Sequence, residues 1–127
     1  MEEIEVGEYI RYKSGLIRKV SRIIPIYEND KLLKDTYYIE FDDKGDIATY
    51  RKEQVIEFMI KHSPNIIDLI EVGDIIIYTK WEEVQKEEVV DVGNECVFTY
   101  KNTVYENEIK SIVTKEQMKS IEYVVKE

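Results

Sequence analysis

Alternation of apolar and polar positions marks the first half of the chain as a series of β-strands. Within residues 37–42, Tyr37, Ile39 and Phe41 alternate with side chains that can face water, which is the period of a strand with one solvated face. Residues 43–46, with the sequence Asp-Lys-Gly-Asp, form the predicted hairpin turn that follows. The Lys-Glu-Gln block at 52–54 is too short for a stable helix and is predicted to form a single helical turn. The predicted strands of this half are 8–13, 16–27, 36–42, 47–50 and 56–61.

The second half of the chain shows the same kind of pattern. Residues 92–94 (Val-Gly-Asn) and 101–102 (Lys-Asn) supply turns between apolar segments. A turn or short helix is predicted at 108–118, where Thr114 can cap the turn and Gln117 stands three residues later, as in a capping box. The predicted strands of this half are 74–80, 87–92, 95–100, 103–105 and 121–125.

Three blocks of sequence recur in the same order, which indicates an internal duplication. Residues 4–8 (Ile-Glu-Val-Gly-Glu) recur at 70–74 as Ile-Glu-Val-Gly-Asp, with an offset of 66. Two further pairs of blocks recur with offsets of 63 and 65, namely 52–55 with 115–118 and 56–61 with 121–126. If the two halves correspond, superposing them places Val6 on Val72 and Phe58 on Tyr123.

Five short strands with one helical turn before the last strand are typical of an SH3-like small barrel. The chain is therefore predicted to be all-β, with tandem SH3-like small barrels at 1–62 and 69–127 that arose by duplication. A bridging helical turn is predicted at 63–68, with Ser63 as its N-cap and Pro64 as its first helical residue. A single mixed β-sandwich of about ten strands is the alternative.

The repeat also predicts which side chains are buried. Aligning the two Val-Gly steps puts Ile10 and Ile76 on the inner face, and it leaves Tyr9 and Arg11 pointing outward. The second unit carries isoleucine at both outward positions, which favours a covered face there, against the first unit or a second copy of the chain. The aromatic residues expected in the cores are Tyr12, Phe41, Phe58, Tyr78, Phe98 and Tyr123.

Composition favours a β-rich protein without catalytic chemistry. The 127 residues include 10 Tyr but only one His and one Cys, and hydrophobic residues make up 43%, which is enough for a core. The acidic N-terminus and the lack of a long apolar run predict a soluble cytoplasmic protein. Because His62 and Cys96 stand alone, and neither a Gly-rich phosphate loop nor metal-ligand spacing is present, we expect no enzyme, cofactor or metal site. The three aspartates at 42, 43 and 46 are interpreted as a solvated turn.

Negative charge is concentrated in the second half of the chain. Residues 63–127 carry 7 basic and 14 acidic groups, which is a net charge of −7 out of a total of −9. An acidic surface with an aromatic anchor can occupy a basic groove, as nucleic acid would. The alternative is that the acidic groups only keep the protein soluble. The predicted partner-binding residues are Trp81, Glu82, Glu83, Glu87, Glu88, Asp91 and Glu95.

Positive charge is concentrated on the first two predicted strands. Basic side chains beside tyrosines can contact phosphates, so this region is the alternative binding surface, for nucleic acid or a nucleotide. The overall acidity works against direct nucleic-acid binding, and the basic residues can equally protect a strand edge from aggregation. The residues of this alternative surface are Tyr9, Arg11, Lys13, Arg18, Lys19 and Arg22.

Two strings of the sequence resemble a group of small accessory proteins from phages and prophages of Firmicutes. The first string is 62–74, His-Ser-Pro-Asn-Ile-Ile-Asp-Leu-Ile-Glu-Val-Gly-Asp, and the second is 112–118, Ile-Val-Thr-Lys-Glu-Gln-Met, followed by Ile-Glu-Tyr at 121–123. The resemblance brings no catalytic residues with it. It implies a mobile-element protein of the bacterial cytoplasm, a context in which small acidic proteins often block host defence. The expected function is non-enzymatic inhibition of a defence protein, of the anti-CRISPR or anti-restriction type, and the expected partner is a basic nuclease or surveillance complex.

Overall fold

The computed structural model describes residues 3–43 and 45–119, and within them the protein is mostly β, with antiparallel sheets. This confirms the all-β expectation at the level of secondary structure. The chain divides into two compact units. The first comprises residues 1–13 and 17–64, and the second comprises residues 14–16 and 65–127.

The first unit is a five-stranded antiparallel sheet with one helix. Along the sheet the strands are ordered β4-β3-β2-β1-β5, so the first strand lies between the second and the last. The helix α1 comes immediately before the last strand in the sequence. The elements are β1 (Tyr9–Tyr12), β2 (Ile17–Glu28), β3 (Lys31–Asp43), β4 (Asp46–Arg51), α1 (Lys52–Phe58) and β5 (Met59–Ser63).

The helix is longer than the single turn that the sequence predicts. Residues 56–58, predicted to begin the last strand, complete α1, and the strand begins at Met59. Val55 is the residue by which α1 contributes to the buried core. Phe58 stands at the last turn and is 55% exposed, so its assignment to the core is wrong. Because the helix replaces half of the predicted strand, the alternation of 56–61 belongs to two different elements.

The core of the first unit lies on one face of its sheet. Cross-strand partners share a face, and Ile10 lies opposite Arg18 across β1 and β2. Phe41 is fully buried, and the Arg18 guanidinium covers its ring at 4.7 Å from the centroid. The buried hydrophobic residues are Ile4, Ile10, Val20, Ile39, Phe41 and Val55, with Tyr12 half-buried against them.

The second unit consists of two three-stranded antiparallel sheets within the described residues. One sheet has the order β11-β6-β7 and the other β10-β9-β8. As in the first unit, the strand that opens the unit pairs with a strand near its end, since Ile75 lies opposite Val113. The strands are β6 (Ile75–Lys80), β7 (Glu83–Glu88), β8 (Asp91–Val92), β9 (Cys96–Phe98), β10 (Thr103–Tyr105) and β11 (Ile109–Val113), with a 3₁₀ helix at Glu106–Glu108 before β11.

The end of the second unit differs from the prediction. Residues 109–113, predicted within a turn or short helix, form β11 and pair with β6. The helix at 115–119 follows β11, whereas α1 precedes β5, so blocks 52–55 and 115–118 occupy different places in their units. The predicted capping box is confirmed, because Thr114 N donates to Gln117 Oε1 at 3.0 Å and Gln117 N to Thr114 Oγ1 at 3.4 Å. The predicted strand 121–125, including Tyr123, lies outside the described residues.

The first repeated block forms the same turn in both units. Gly7 and Gly73 have φ of 91° and 100°, a region that glycine enters without strain. Gly7 N donates to Val20 O and Gly73 N to Val89 O, both at 2.9 Å. The acid after each glycine is buried and accepts from the backbone three residues earlier, Glu8 from Glu5 N at 2.5 Å and Asp74 from Glu71 N at 2.8 Å. This block therefore has one conformation at both of its occurrences.

The predicted bridging turn at 63–68 differs from the structure. Ser63 ends β5 and is not a helix cap. Asn65 is the N-cap of a 3₁₀ helix at Ile66–Leu69, and its side chain accepts from Ile67 N at 3.1 Å.

Of the other residues assigned to the cores, Ile76 and Tyr78 are fully buried as predicted, and Phe98 is half-buried. Arg11, predicted to point outward, is fully buried. Its neighbour Ile10 is fully buried as well, and successive side chains of a strand point to opposite faces, so β1 is covered on both faces at this point.

Candidate partner-binding surface

Trp81 is displayed at the tip of the β6–β7 hairpin. Lys80 pairs with Glu83, so Trp81 and Glu82 are the two residues of the turn. Their φ angles are 52° and 66°, the left-handed values of a type I′ turn. Such turns normally use Asn and Gly, and a bulky residue in this region is a genuine outlier. Trp81 is 78% exposed. A strained backbone therefore presents the one tryptophan of the chain to solvent, which is the kind of strain that clusters at functional sites.

Lys80 fixes the base of this tip. Its Nζ donates to Thr103 O at 2.6 Å and to the Glu108 carboxylate at 3.2 Å. The same ammonium lies 5.8 Å from the centre of the Trp81 ring and 5.6 Å from that of Tyr105, both within the range of cation–π attraction. The lysine thus ties the hairpin to the segment that carries Tyr105, and two exposed aromatic rings flank one cation.

The carboxylate that holds Lys80 is itself fixed. Tyr105 N donates to Glu108 Oε1 at 2.9 Å. This backbone hydrogen bond, together with the contact to Lys80, lowers the pKa of Glu108 although burial opposes the shift. We define the tip surface as Trp81, Glu82, Glu83 and Tyr105, which are all exposed. It combines two aromatic rings with two carboxylates on a braced hairpin.

Glu87 does not belong to this surface, although the sequence places it among the acidic binding residues. Its Oε1 accepts from the Tyr78 hydroxyl at 2.6 Å and from the Thr99 hydroxyl at 2.5 Å. Asn102 Nδ2 in turn donates to the Tyr78 oxygen at 2.7 Å. Burial alone would raise the pKa of Glu87, but the hydrogen bonds from Thr99 and Tyr78 outweigh it, and the pKa is lowered. Glu87 is therefore a structural carboxylate of the second unit.

The remaining predicted acidic residues are exposed but lie away from Trp81. Glu83 and Glu88 stand at opposite ends of β7, and five steps along a strand span about 17 Å. Asp91 follows in β8, where its side chain accepts from Val92 N at 2.9 Å, and Glu95 lies in the connection before β9. The structure therefore brings Glu82 and Glu83 next to Trp81, whereas Glu88, Asp91 and Glu95 belong to other parts of the unit.

The basic residues of the first unit do not form one surface. Tyr9 lies opposite Lys19 and Ile10 opposite Arg18, so Lys19 and Arg18 are on opposite faces of the sheet. The Lys19 ammonium lies 5.3 Å from the Tyr9 ring, whereas Arg18 covers buried Phe41. Of the others, Arg11 is buried, Lys13 is exposed after β1, and Arg22 is exposed 3.6 Å from the Glu40 carboxylate.

The two residues considered for nucleophilic chemistry have structural surroundings. His62 lies in β5, where its Nδ1 is 2.6 Å from Glu8 Oε1 and both side chains are largely buried. Cys96 is half-buried at the start of β9. Within residues 3–43 and 45–119, no group of three or more His, Cys, Asp or Glu side chains is placed to hold a metal ion. In the described part of the chain, every helix is too short or too polar to cross a membrane.

Sequence reasoning found Trp81 but missed the residues that support it. Lys80 ends β6, whereas Tyr105 and Glu108 lie together at the 3₁₀ helix more than twenty residues later, and only the folded unit brings the two segments together. The sequence held one sign of this hairpin, because two segments of alternating apolar and polar residues follow each other with only Trp-Glu between them. Because Trp-Glu is not a sequence typical of a type I′ turn, the second strand was predicted to begin at 87 and not at Glu83.

No family model matches the chain, and no curated protein or solved structure is significantly similar to it.

Proposed function

We propose that this protein is a non-catalytic binding module that recognises a protein partner with the tip surface of its second unit. The observation that carries the proposal is the exposed Trp81 in a left-handed backbone conformation. Tryptophan dominates binding energy at protein interfaces when a partner buries it. A residue that costs stability where it stands, and that makes little contact within its own fold, is best explained by a contact with another molecule.

The proposed partner is a basic protein of bacterial defence, which the module inhibits. Glu82 and Glu83 follow Trp81 directly, and residues 63–127 carry −7 of the net charge of −9. Carboxylates around an aromatic anchor speed association with a positive surface and disfavour acidic partners. The context is the one that the sequence resemblance suggests, an accessory protein of a phage or prophage in the bacterial cytoplasm, of the anti-CRISPR or anti-restriction type.

We further propose that each unit is an SH3-like small barrel and that the two arose by duplication. In both units the opening strand pairs with a late strand, and a helix or 3₁₀ helix precedes that late strand. The shared hydrogen-bonded turn at Gly7 and Gly73 supports the same interpretation. In this arrangement the Trp81 hairpin of the second unit corresponds to the β1–β2 connection of the first.

An affinity experiment with matched variants tests the proposed function. The wild-type protein, Trp81→Ala and Tyr100→Ala are immobilised and exposed to lysate of a Firmicute that carries restriction and CRISPR systems, and bound proteins are identified by mass spectrometry. Tyr100 is the control because it is an aromatic residue of the same unit that is 90% exposed. We expect a basic nucleic-acid-binding protein to be retained by the wild type and by Tyr100→Ala, but not by Trp81→Ala.

The affinity for that partner is then measured for each variant. Loss of a tryptophan anchor costs about 2 kcal/mol or more, which is about a 30-fold weaker Kd. Charge reversal of Glu82 and Glu83 to lysine should mainly slow association, and more so at low salt. If Trp81→Ala binds as tightly as the wild type, the tip surface is not the contact. If the protein instead binds oligonucleotides on a filter, and Lys19→Glu but not Trp81→Ala abolishes this, the nucleic-acid alternative takes its place.

A further inference from the structure

Strand β4 (Asp46–Arg51) is an open edge of the first unit. It pairs with β3 on one side, and within residues 3–43 and 45–119 it has no strand partner on the other. Its register with β3 runs without a shift from Asp43–Asp46 to Tyr38–Arg51, so the edge is regular and carries no bulge. All its side chains are exposed except that of Ala48, which is half-buried. A regular open edge is a template for pairing with another chain.

This edge lacks the protection that the edge strands β5, β7 and β11 have. Natural proteins block edges with charged side chains, bulges or proline. The edge strand β7 has the sequence Glu-Val-Gln-Lys-Glu-Glu, β5 has Lys61 at its centre, and β11 has both Lys110 and a register shift. The four central residues of β4 are Ile47, Ala48, Thr49 and Tyr50, without charge or proline. Ile47 and Tyr50 suit a strand that is paired on both sides.

We propose that β4 pairs antiparallel with β4 of a second copy of this chain, about a two-fold axis at Thr49. An axis perpendicular to the sheet keeps matching faces together, so Thr49 lies opposite its own copy and Ala48 opposite Tyr50. Ile47 then lies opposite Arg51, and Asp46 of one copy comes next to Lys52, the first residue of α1, of the other. The small side chain of Ala48 thus lies beside the large one of Tyr50, and Asp46 and Lys52 carry opposite charges. The Lys52 ammonium donates to Asp35 O at 3.2 Å and has two further donors for Asp46 of the other copy.

The same operation on the edge strands β7 and β5 brings like charges together. Two copies of β7 would place Glu83 opposite Glu87, or Lys86 opposite itself, according to the register. Two copies of β5 centred on the strand would place Lys61 opposite itself. Like charges directly opposite each other destabilise an antiparallel pair. The sequence of β4 is thus compatible with its own copy where those of β5 and β7 are not, which favours a second copy as the occupant of this edge.

Charge placed at the axis tests this pairing. The mass of the full chain is measured by light scattering on a sizing column over a dilution series, for the wild type, Thr49→Lys, Thr49→Glu and a mixture of the two variants. Six residues make a short interface, so we expect the wild type to pass from 15.1 kDa to twice that mass as its concentration rises. Each variant alone should stay at the monomer mass, and the mixture should regain the doubled mass. Val84→Lys, on the exposed edge strand β7, is the control and should behave as the wild type.

A cross-link defines the register. In an antiparallel pair, Cα atoms directly opposite each other are about 4.5–5.5 Å apart, a distance that a disulfide can bridge. With Cys96 changed to serine, Thr49→Cys should form a covalent dimer on oxidation, whereas Val84→Cys in the same background should not. A wild type that stays monomeric at every soluble concentration overturns the proposal. So does a Thr49→Lys protein that still dimerises, a mixture that stays monomeric, or a Thr49→Cys protein that cross-links no faster than the Val84→Cys control.

Discussion

Replacing the strained turn of the β6–β7 hairpin should make the protein more stable. The change is Trp81→Asn together with Glu82→Gly, which gives the dipeptide preferred in type I′ turns. Both native residues have left-handed φ angles, of 52° and 66°. A residue other than glycine or asparagine costs roughly 1–2 kcal/mol in this region. The variant therefore removes a penalty from two positions while leaving the strands on both sides unchanged.

The size of the effect follows from three contributions. Relief of the backbone at two positions is worth about 2 kcal/mol. The lost cation–π contact of Lys80 with the Trp81 ring costs about 0.5 kcal/mol at an exposed site. The greater freedom of glycine in the unfolded chain costs about 0.5 kcal/mol. The net gain of about 1 kcal/mol raises the Tm of a unit of this size by about 4–8 °C.

Thermal unfolding followed by far-ultraviolet circular dichroism measures this gain. Tyr100→Asn is the matched control, because it removes an exposed aromatic residue that is not at a left-handed position, and its Tm should be unchanged. Partner binding should be lost from the turn variant even as its stability rises. A Tm that falls by several degrees in the turn variant would refute the reasoning, since it would mean that Trp81 stabilises its own fold.

The remaining predictions concern the two cores and the response to acid. Phe41→Ala should lower the free energy of unfolding by about 3–5 kcal/mol, whereas Phe58→Ala, at an exposed site, should change it by less than about 0.5 kcal/mol; urea titration compares them, and equal losses would show that the burial is misassigned. Tyr78→Phe should cost about 1–3 kcal/mol, because it keeps the ring but leaves Glu87 and Asn102 without their shared hydroxyl, and an unchanged urea midpoint would contradict this. The folded-state pKa of Glu87 is lowered, so its contribution to stability is present above its ordinary value of 4.5 and is lost as the pH falls through the lower folded pKa. Glu87→Gln should therefore be less stable at neutral pH and lose less stability on acidification. If the free energy of unfolding falls equally with pH in the variant and the wild type, this assignment is contradicted.

The alternating pattern predicts a strand where one of its faces lies on the core and the other in solvent. Tyr38 and Phe41, on opposite faces of β3, show the pattern directly. It failed where an element ends without a change in composition. Residues 56–58 are as apolar as a strand, and their helical conformation depends on Val55 packing into the core, which is a tertiary contact. Arg11 was misplaced because Ile10 and Arg11 are both buried, so β1 is covered on both faces, which the identity of a charged residue does not show.

The sequence predicted the candidate site only where a single residue identifies it. Trp81 stands out in the sequence, because a tryptophan beside glutamates is an evident anchor. Glu87 resembles its acidic neighbours, and nothing in its local sequence shows that Tyr78 and Thr99 hold it inside. The support of the tip by Lys80 depends on Thr103 and Glu108, more than twenty residues later. Long-range hydrogen bonds of this kind are determined by the pairing of strands and not by any local pattern.

The pairing of β1 with β5 also determines the order in which the first unit can fold. Tyr9 meets Ser63 across this pair, so the contact closes a loop of more than fifty residues, whereas the hairpin of β2 and β3 closes through Asn29 and Asp30 alone. Closing a long loop costs more chain entropy than closing a short one, and such non-local contacts slow folding. During synthesis the β2–β3 hairpin can therefore form before β5, the second neighbour of β1, has left the ribosome. Substitutions in β5 should accordingly accelerate unfolding more than they slow folding.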